Sequence, residues 1–89
     1  MISVVIATLN SERPLVRTLA ALVPGAIDGL VSEVIVADGG SRDDTASVAD
    51  AAGCNFLLVE GPLGRRLKNA AEAARAPWLL FLRPGTLLD

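Results

Sequence analysis

Three groups of residues in this chain have types and spacing suited to binding a charged or polar ligand. The first is Asp38-Gly39-Gly40, which follows directly on the apolar run Val34, Ile35, Val36 and Ala37. Its carboxylate could accept hydrogen bonds from a base or a ribose, and the glycines let the backbone turn sharply or approach a ligand. The same residues also suit an Asx-type turn, in which Asp38 bonds only the amides just ahead of it. Spacing alone does not separate the two. The second group is Gly64-Arg65-Arg66, with Lys68 behind it. It opens a helical stretch, where cations oppose the positive end of the helix dipole at about 0.3–1 kcal/mol each. An anion resting on the free amides and the two guanidinium groups would remove the conflict. The alternative is that both side chains simply run out into water. The third group is Arg83-Pro84-Gly85, which stops the apolar run Trp78 to Leu82. Proline and glycine there suit the centre of a plain turn, whereas Arg83 could instead clamp a phosphate.

The elements that must position these groups alternate in one rhythm. Residues 2–7 form a β-rich apolar run, and Pro14 suits the first turn of a helix after a polar break. Leu15, Leu19, Leu22 and Val23 mark one face of that helix, and Pro24-Gly25 is expected to end it. Residues 34–37 form a second strand. Ser41 and Asp44 have the spacing of a capping box for a second helix, which runs to about Ala52 with Gly53 as its stop. Asp43 and Asp44 suit the first turn of that helix by their charge. A third strand covers residues 55–59, and a third helix residues 65–76. That helix carries a stripe of Leu67, Ala70, Ala71 and Ala74 that would lie close on a sheet. Trp78 to Leu82 is the fourth strand.

Strands and helices in alternation, with continuously apolar strands, predict a three-layer α/β/α fold on a parallel sheet covered on both faces. Ligands in such folds bind beyond the carboxyl ends of the strands. The loops to inspect are therefore residues 8–11, 38–43, 60–65 and 83–86.

At 89 residues the chain is expected to be one domain, spanning residues 1–89, with no repeats or linkers. A chain this short hides only roughly 60–65% of its unfolded surface. Apolar residues make up 52% but aromatics only 3%, so Ala, Leu and Val must do the packing. The net charge of −2 gives no pull toward nucleic acid or an anionic membrane. No apolar run approaches the ~18 residues of a membrane span, and the opening MISVVIAT is too short and uncharged for a signal peptide. The single cysteine, Cys54, excludes an internal disulfide and fits a reducing, cytoplasmic setting. With no histidine to activate it, Cys54 is expected to be buried filler.

Familiar nucleotide signatures are absent. No glycine follows the first strand in ATLNSERP, which excludes a dinucleotide fingerprint, and GPLGRRLK does not match a phosphate-binding P-loop. A phospho-receiver domain would want an acidic pair where this chain has Thr8 and Asn10.

Taken together, ISVVIATLNSERPLVRTLAAL, EVIVADGGSRDDT and GRRLKNAAEAARAPWLLFL resemble the N-terminal half of a family 2 glycosyltransferase with the GT-A, Rossmann-like fold. The resemblance covers nearly the whole chain, with its blocks in the right order. It implies strand order 3-2-1-4 and a site for a nucleoside diphosphate or nucleotide-diphospho-sugar. The loop after the first strand would hold the base, giving Thr8, Leu9 and Asn10 that role. Where the family often carries a tyrosine, Leu9 offers no ring for stacking. Asp38, with Gly39, would contact base or ribose, and Arg65, Arg66 and Asn69 would approach the diphosphate and base.

Two departures follow. The family ends its fourth strand in D-x-D, whose carboxylates hold Mg²⁺ or Mn²⁺, and this chain has Arg83-Pro84-Gly85 there. Hard cations require oxygen ligands. A cation of charge +2 about 5 Å from Arg83 would be repelled by roughly 6–7 kcal/mol at an effective dielectric of about 20. The expected metal and cofactor are therefore none, with Arg83 instead near a phosphate. The family domain is also more than twice as long, and its acceptor site and catalytic base lie in the other half. No residue here is assigned as that base, so catalytic residues stay unassigned, sugar transfer by this chain alone is not expected, and a non-catalytic assembly module is the competing reading. The strand that pairs outside the fourth in the family has no counterpart in this sequence. A bare strand edge templates pairing, so two copies of Trp78 to Leu82 are expected to join as a homodimer.

Overall fold

The computed structural model describes residues 2–27 and 29–84, and the side chains of all of these except 23–27. The element order is β1 (Ile2–Thr8), α1 (Glu12–Ile27), β2 (Val31–Asp38), α2 (Thr45–Ala51), β3 (Asn55–Leu58), α3 (Leu63–Ala73) and β4 (Trp78–Leu82). The strands form one parallel sheet in the order β3-β2-β1-β4, as the resemblance implies.

The helices divide between the two faces of the sheet. Val4 and Ile6 of β1 and Val36 of β2 pack with Leu15 and Leu22 of α1 and Ala49 of α2. On the opposite face Val5, Ile35 and Ala37 pack with Ala70, flanked by Leu67 and Ala74. This is the small-residue stripe of α3, and small side chains let that helix sit close on the strands. Crossover handedness explains the division. The chain steps from β1 to β2 to β3 in one direction and then returns past β1 to β4, so a right-handed return must use the other face.

Several boundaries differ from the sequence reading. Helix α1 does not stop at Pro24-Gly25 but runs on to Ile27. Proline lacks an N–H and its ring crowds the carbonyl four residues back, a cost that at the last turn does not end the helix. Val23 falls outside the described side chains. Strand β2 begins three residues early, because it pairs with β1 from Val31 onward. Ile2 opposes Val31 while Ser3 opposes Glu33, so Ser32 is an extra residue at that point. Helix α2 starts at Thr45, and its N-cap Asp44 makes no side-chain cap bond. The capping box is not formed, because the Ser41 hydroxyl is engaged by Asp38 instead. Gly53 does stop α2: it adopts φ +77°, and the amides of Gly53 and Cys54 bond the carbonyls of Asp50 and Ala49. Helix α3 lies earlier than expected, from Leu63 to Ala73, capped by extended Pro62.

The amino-end side of the sheet is closed by a polar knot. The fully buried Ser3 hydroxyl donates to the Glu33 carboxylate at 2.6 Å and accepts from the Ala76 amide at 3.1 Å. Glu33 also accepts from the Arg75 amide and the Asn55 side chain. The Ser3 hydroxyl, the Arg75 amide, the Arg75 charge and the Asn55 amide hold the Glu33 carboxyl below its ordinary pKa despite some burial. The knot fixes the passage from α3 into β4. Ser3→Ala should therefore cost about 1–3 kcal/mol, measured by urea denaturation, because it strands the Ala76 amide and removes one of the two donors to Glu33 Oε2.

Candidate functional site

The carboxyl ends of β1 and β2 lie side by side, with Thr8 opposite Asp38. Asp38 is almost completely buried, at 1% exposure, and both its oxygens are engaged. Oδ1 accepts from the Thr8 hydroxyl at 2.6 Å and the Ser41 hydroxyl at 2.5 Å. Oδ2 accepts from the amides of Gly40 at 3.0 Å and Ser41 at 2.7 Å. Burial alone would raise the Asp38 pKa, but the Ser41 hydroxyl and amide, the Thr8 hydroxyl and the Gly40 amide outweigh it and hold the group below its ordinary value. The turn-ordering role of Asp38 is thus present, and it reaches beyond its own loop to β1.

The two loops are braced further along. Asn10 takes a left-handed conformation, φ 50°. Its amide donates to the Ser41 hydroxyl, and its side-chain oxygen accepts from the Arg42 amide at 2.7 Å. The Ser11 amide donates to the Thr45 hydroxyl, and the Glu12 amide to Asp43. Glu12 accepts in return from the Asp44 amide. Asp43 also receives both the amide and the hydroxyl of Thr45, so it does sit at the start of α2, as an acceptor rather than a mere charge. The contributions of Ser41, Arg42, Thr45, Asp43 and Glu12 to this seam were not singled out from the sequence. Loops at the ends of neighbouring parallel strands satisfy each other's polar groups, but which residues meet is set only once the strands are aligned.

The third helix reaches the same seam. Arg66 Nη1 donates to the Thr8 carbonyl at 3.0 Å, and its guanidinium lies against Gly39. A Cβ on Gly39 would stand 2.5 Å from Nη1, so this glycine is what admits the arginine. Arg65 is exposed and folds back over Gly61, and Asn69 is exposed one helical turn further on. Leu9, 52% exposed, projects from the β1 loop.

At the end of β4, Arg83 lines a cavity of about 400 Å³ with Ala7, Leu63, Leu67, Phe81 and Pro84. The strand order reverses between β1 and β4, which makes this crevice the topological switch point where open α/β sheets bind ligands. Gly85, the last residue of the Arg83-Pro84-Gly85 motif, lies outside the described residues. Among the described residues, no group of three or more His, Cys, Asp or Glu side chains is placed to hold a metal ion, and no helix is long and apolar enough to cross a membrane. Cys54 is half-buried, and burial pushes its thiol pKa up, away from reactivity.

An open parallel sheet in this order, with its functional loops at the carboxyl ends, is the fold of the GT-A glycosyltransferases, and solved members superpose on it. The chain belongs to glycosyl transferase family 2, whose family model matches residues 3–82. It is similar to the glucosyl-3-phosphoglycerate synthase of Mycobacterium tuberculosis H37Rv, 42% identical over 62 residues that make up 70% of this chain and 19% of the synthase. The Mycolicibacterium paratuberculosis synthase is 36% identical over 90 residues, 91% of this chain and 27% of that protein. The crystal structure of the M. tuberculosis synthase with UDP matches at a TM-score of 0.85 and 30% identity, covering 98% of this chain and 34% of that one. The same enzyme with Mn²⁺, UDP-glucose and phosphoglyceric acid matches at 0.81 and 31%, covering 94% and 33%. The chain thus spans about a third or less of the length of these relatives.

Proposed function

We propose that this chain is a nucleotide-binding half-domain, residues 1–89, that holds a nucleoside diphosphate or nucleotide sugar across the carboxyl ends of β1, β2 and β4. The observation that carries this reading is the seam just described: Asp38, Thr8 and Asn10 lock two loops into a rigid rim at the carboxyl ends of the strands, where open α/β sheets bind ligands, and the structurally similar synthase is solved with UDP and with UDP-glucose. Thr8, Asn10, Asp38 and Gly39 shape the rim, and Leu9 gives the base an apolar contact. Arg65, Arg66, Asn69 and Arg83 bound the side that takes the phosphates. A cytoplasmic setting accompanies this reading, supported by the lone, half-buried thiol. No residue of this chain is assigned as the base that deprotonates an acceptor hydroxyl, so the reading is confined to nucleotide binding.

Calorimetric titration with UDP, GDP and dTDP, and then with their sugars, tests the reading. One of the three diphosphates should bind at least tenfold tighter than the others. Equal or absent binding for all three would remove it.

One observation favours a second role. The large apolar residues of β4, Trp78, Leu79, Leu80 and Phe81, are 70%, 40%, 38% and 47% exposed, which suits a shared strand edge between two copies. The oligomeric state decides this independently of nucleotide.

A further inference from the structure

Arg66 has an unfinished set of bonds. Among the described residues its one side-chain acceptor is the Thr8 carbonyl. Its Nε–H is shut away from solvent and has no partner. Buried donors are nearly always bonded, so an orphan of this kind calls for an acceptor that the chain does not itself supply. A guanidinium cannot shed its proton, and the charge is therefore permanent. Of the carboxylates at the seam, Asp38 already accepts four bonds from Thr8, Gly40 and Ser41, and Glu60 lies over Gly40 rather than Gly39. What is lacking beside Arg66 is an anion.

The M. tuberculosis synthase has been crystallised with UDP together with Mn²⁺, with UDP together with Mg²⁺, and with UDP with no cation named. The residues here do not fit such a cation. Arginine, proline and glycine occupy positions 83 to 85, and among the described residues no group of acidic or other ligating side chains is placed to hold an ion. The donor set at this seam is cationic and suits an anion directly.

We propose that this chain binds the diphosphate of its nucleotide without a divalent cation, the Arg66 guanidinium supplying the positive charge in place of a metal. This rests on the nucleotide reading above and extends it. Gly39 is part of the device. Its missing Cβ is the space the guanidinium occupies, and its φ is not positive, so alanine there displaces the arginine tip without straining the backbone.

The test is titration of the full chain with UDP, GDP, dTDP and inorganic pyrophosphate, first in EDTA and then in excess Mn²⁺. Wild type should bind in EDTA, with less than a threefold change on adding Mn²⁺. Arg66→Gln and Gly39→Ala should each weaken diphosphate binding at least tenfold, and Arg66→Lys by an intermediate factor. Circular dichroism identifies folded variants. Should Arg66→Gln fail to fold, Gly39→Ala and the wild-type metal comparison still decide. Tightening of tenfold or more with Mn²⁺ would overturn the proposal while leaving the nucleotide reading intact, as would folded variants that bind like wild type. Absence of binding by any diphosphate in either condition would overturn both.

Discussion

Asp38→Ala should destabilise the chain by about 2–4 kcal/mol, which for a domain of this size is a fall in Tm upward of about 10 °C. The carboxylate is buried and accepts four hydrogen bonds. Alanine removes both acceptor oxygens, and with them all four bonds. The Thr8 hydroxyl, itself 1% exposed, cannot turn to water for a replacement. The loops after β1 and β2 then lose the bond that joins them, and nucleotide affinity should fall along with stability. Denaturant unfolding of wild type and variant measures the first effect, and calorimetry on the folded fraction at low temperature measures the second. A variant with unchanged Tm would mean that the four bonds contribute nothing net, and the rim would need another explanation.

The same carboxylate makes stability depend on acid. Its hydrogen bonds hold its folded pKa below the ordinary value. A depressed carboxyl pKa stabilises the folded state above the unfolded pKa of about 3.9. That contribution is lost as the pH falls through this value toward the folded one. Unfolding free energy should thus be level near neutrality and decline below about pH 4. Glu33 and Asp43, also held below their ordinary values by hydrogen bonds, act in the same direction. Asp38→Asn should reduce the acid slope without abolishing it, and a slope identical to wild type would remove Asp38 from the cause.

The parallel sheet was legible because alternation and apolar continuity report burial, and β1 is buried along most of its length and β2 along its second half; the strand order came from the family resemblance. The start of α2 was not. Ser41 and Asp44 match a capping pattern, but Asp38 offers Ser41 a charged acceptor, and a charge-assisted bond outcompetes a neutral cap. Pro24 misled for a similar reason, since a breaker signal cannot tell the middle of a helix from its last turn. At the site, the sequence pointed to Thr8, Asn10 and Asp38 as ligand contacts. The Thr8 hydroxyl, the Asp38 carboxylate, and the Asn10 amide and side-chain oxygen are bonded within the chain. Those bonds run between residues about thirty positions apart, a distance across which spacing carries no information until the strands are aligned. Arg66 is the extreme case. Its position over Gly39 depends on α3 crossing to the return face of the sheet, and no local pattern encodes that.

On the shared-edge reading, replacing Leu80 with lysine should convert the proposed dimer into a monomer, halving the mass seen by light scattering. β4 pairs with β1 along one side only, and among the described residues nothing pairs on its other side. The residues it displays are apolar and carry no lysine or inward charge to discourage pairing. Two copies joined edge to edge across a two-fold axis would form one antiparallel junction within an eight-stranded sheet, twice the four strands of one chain. Leu80 is the central residue of Trp78–Leu82, so at a symmetric junction it faces its own copy. Leu80→Lys would then set two like charges directly opposite each other, which destabilises a strand pair. Because Leu80 is already 38% exposed, lysine can extend into water in the monomer, and the Tm of the dilute protein should change little. Leu80→Pro removes an amide donor as well and should give monomers or aggregates. Glu72→Ala, an exposed change on α3 away from this edge, should leave the dimer intact. A wild-type chain that stays monomeric and monodisperse at high concentration would eliminate the shared edge and leave the apolar residues of β4 to be covered by something other than a second copy.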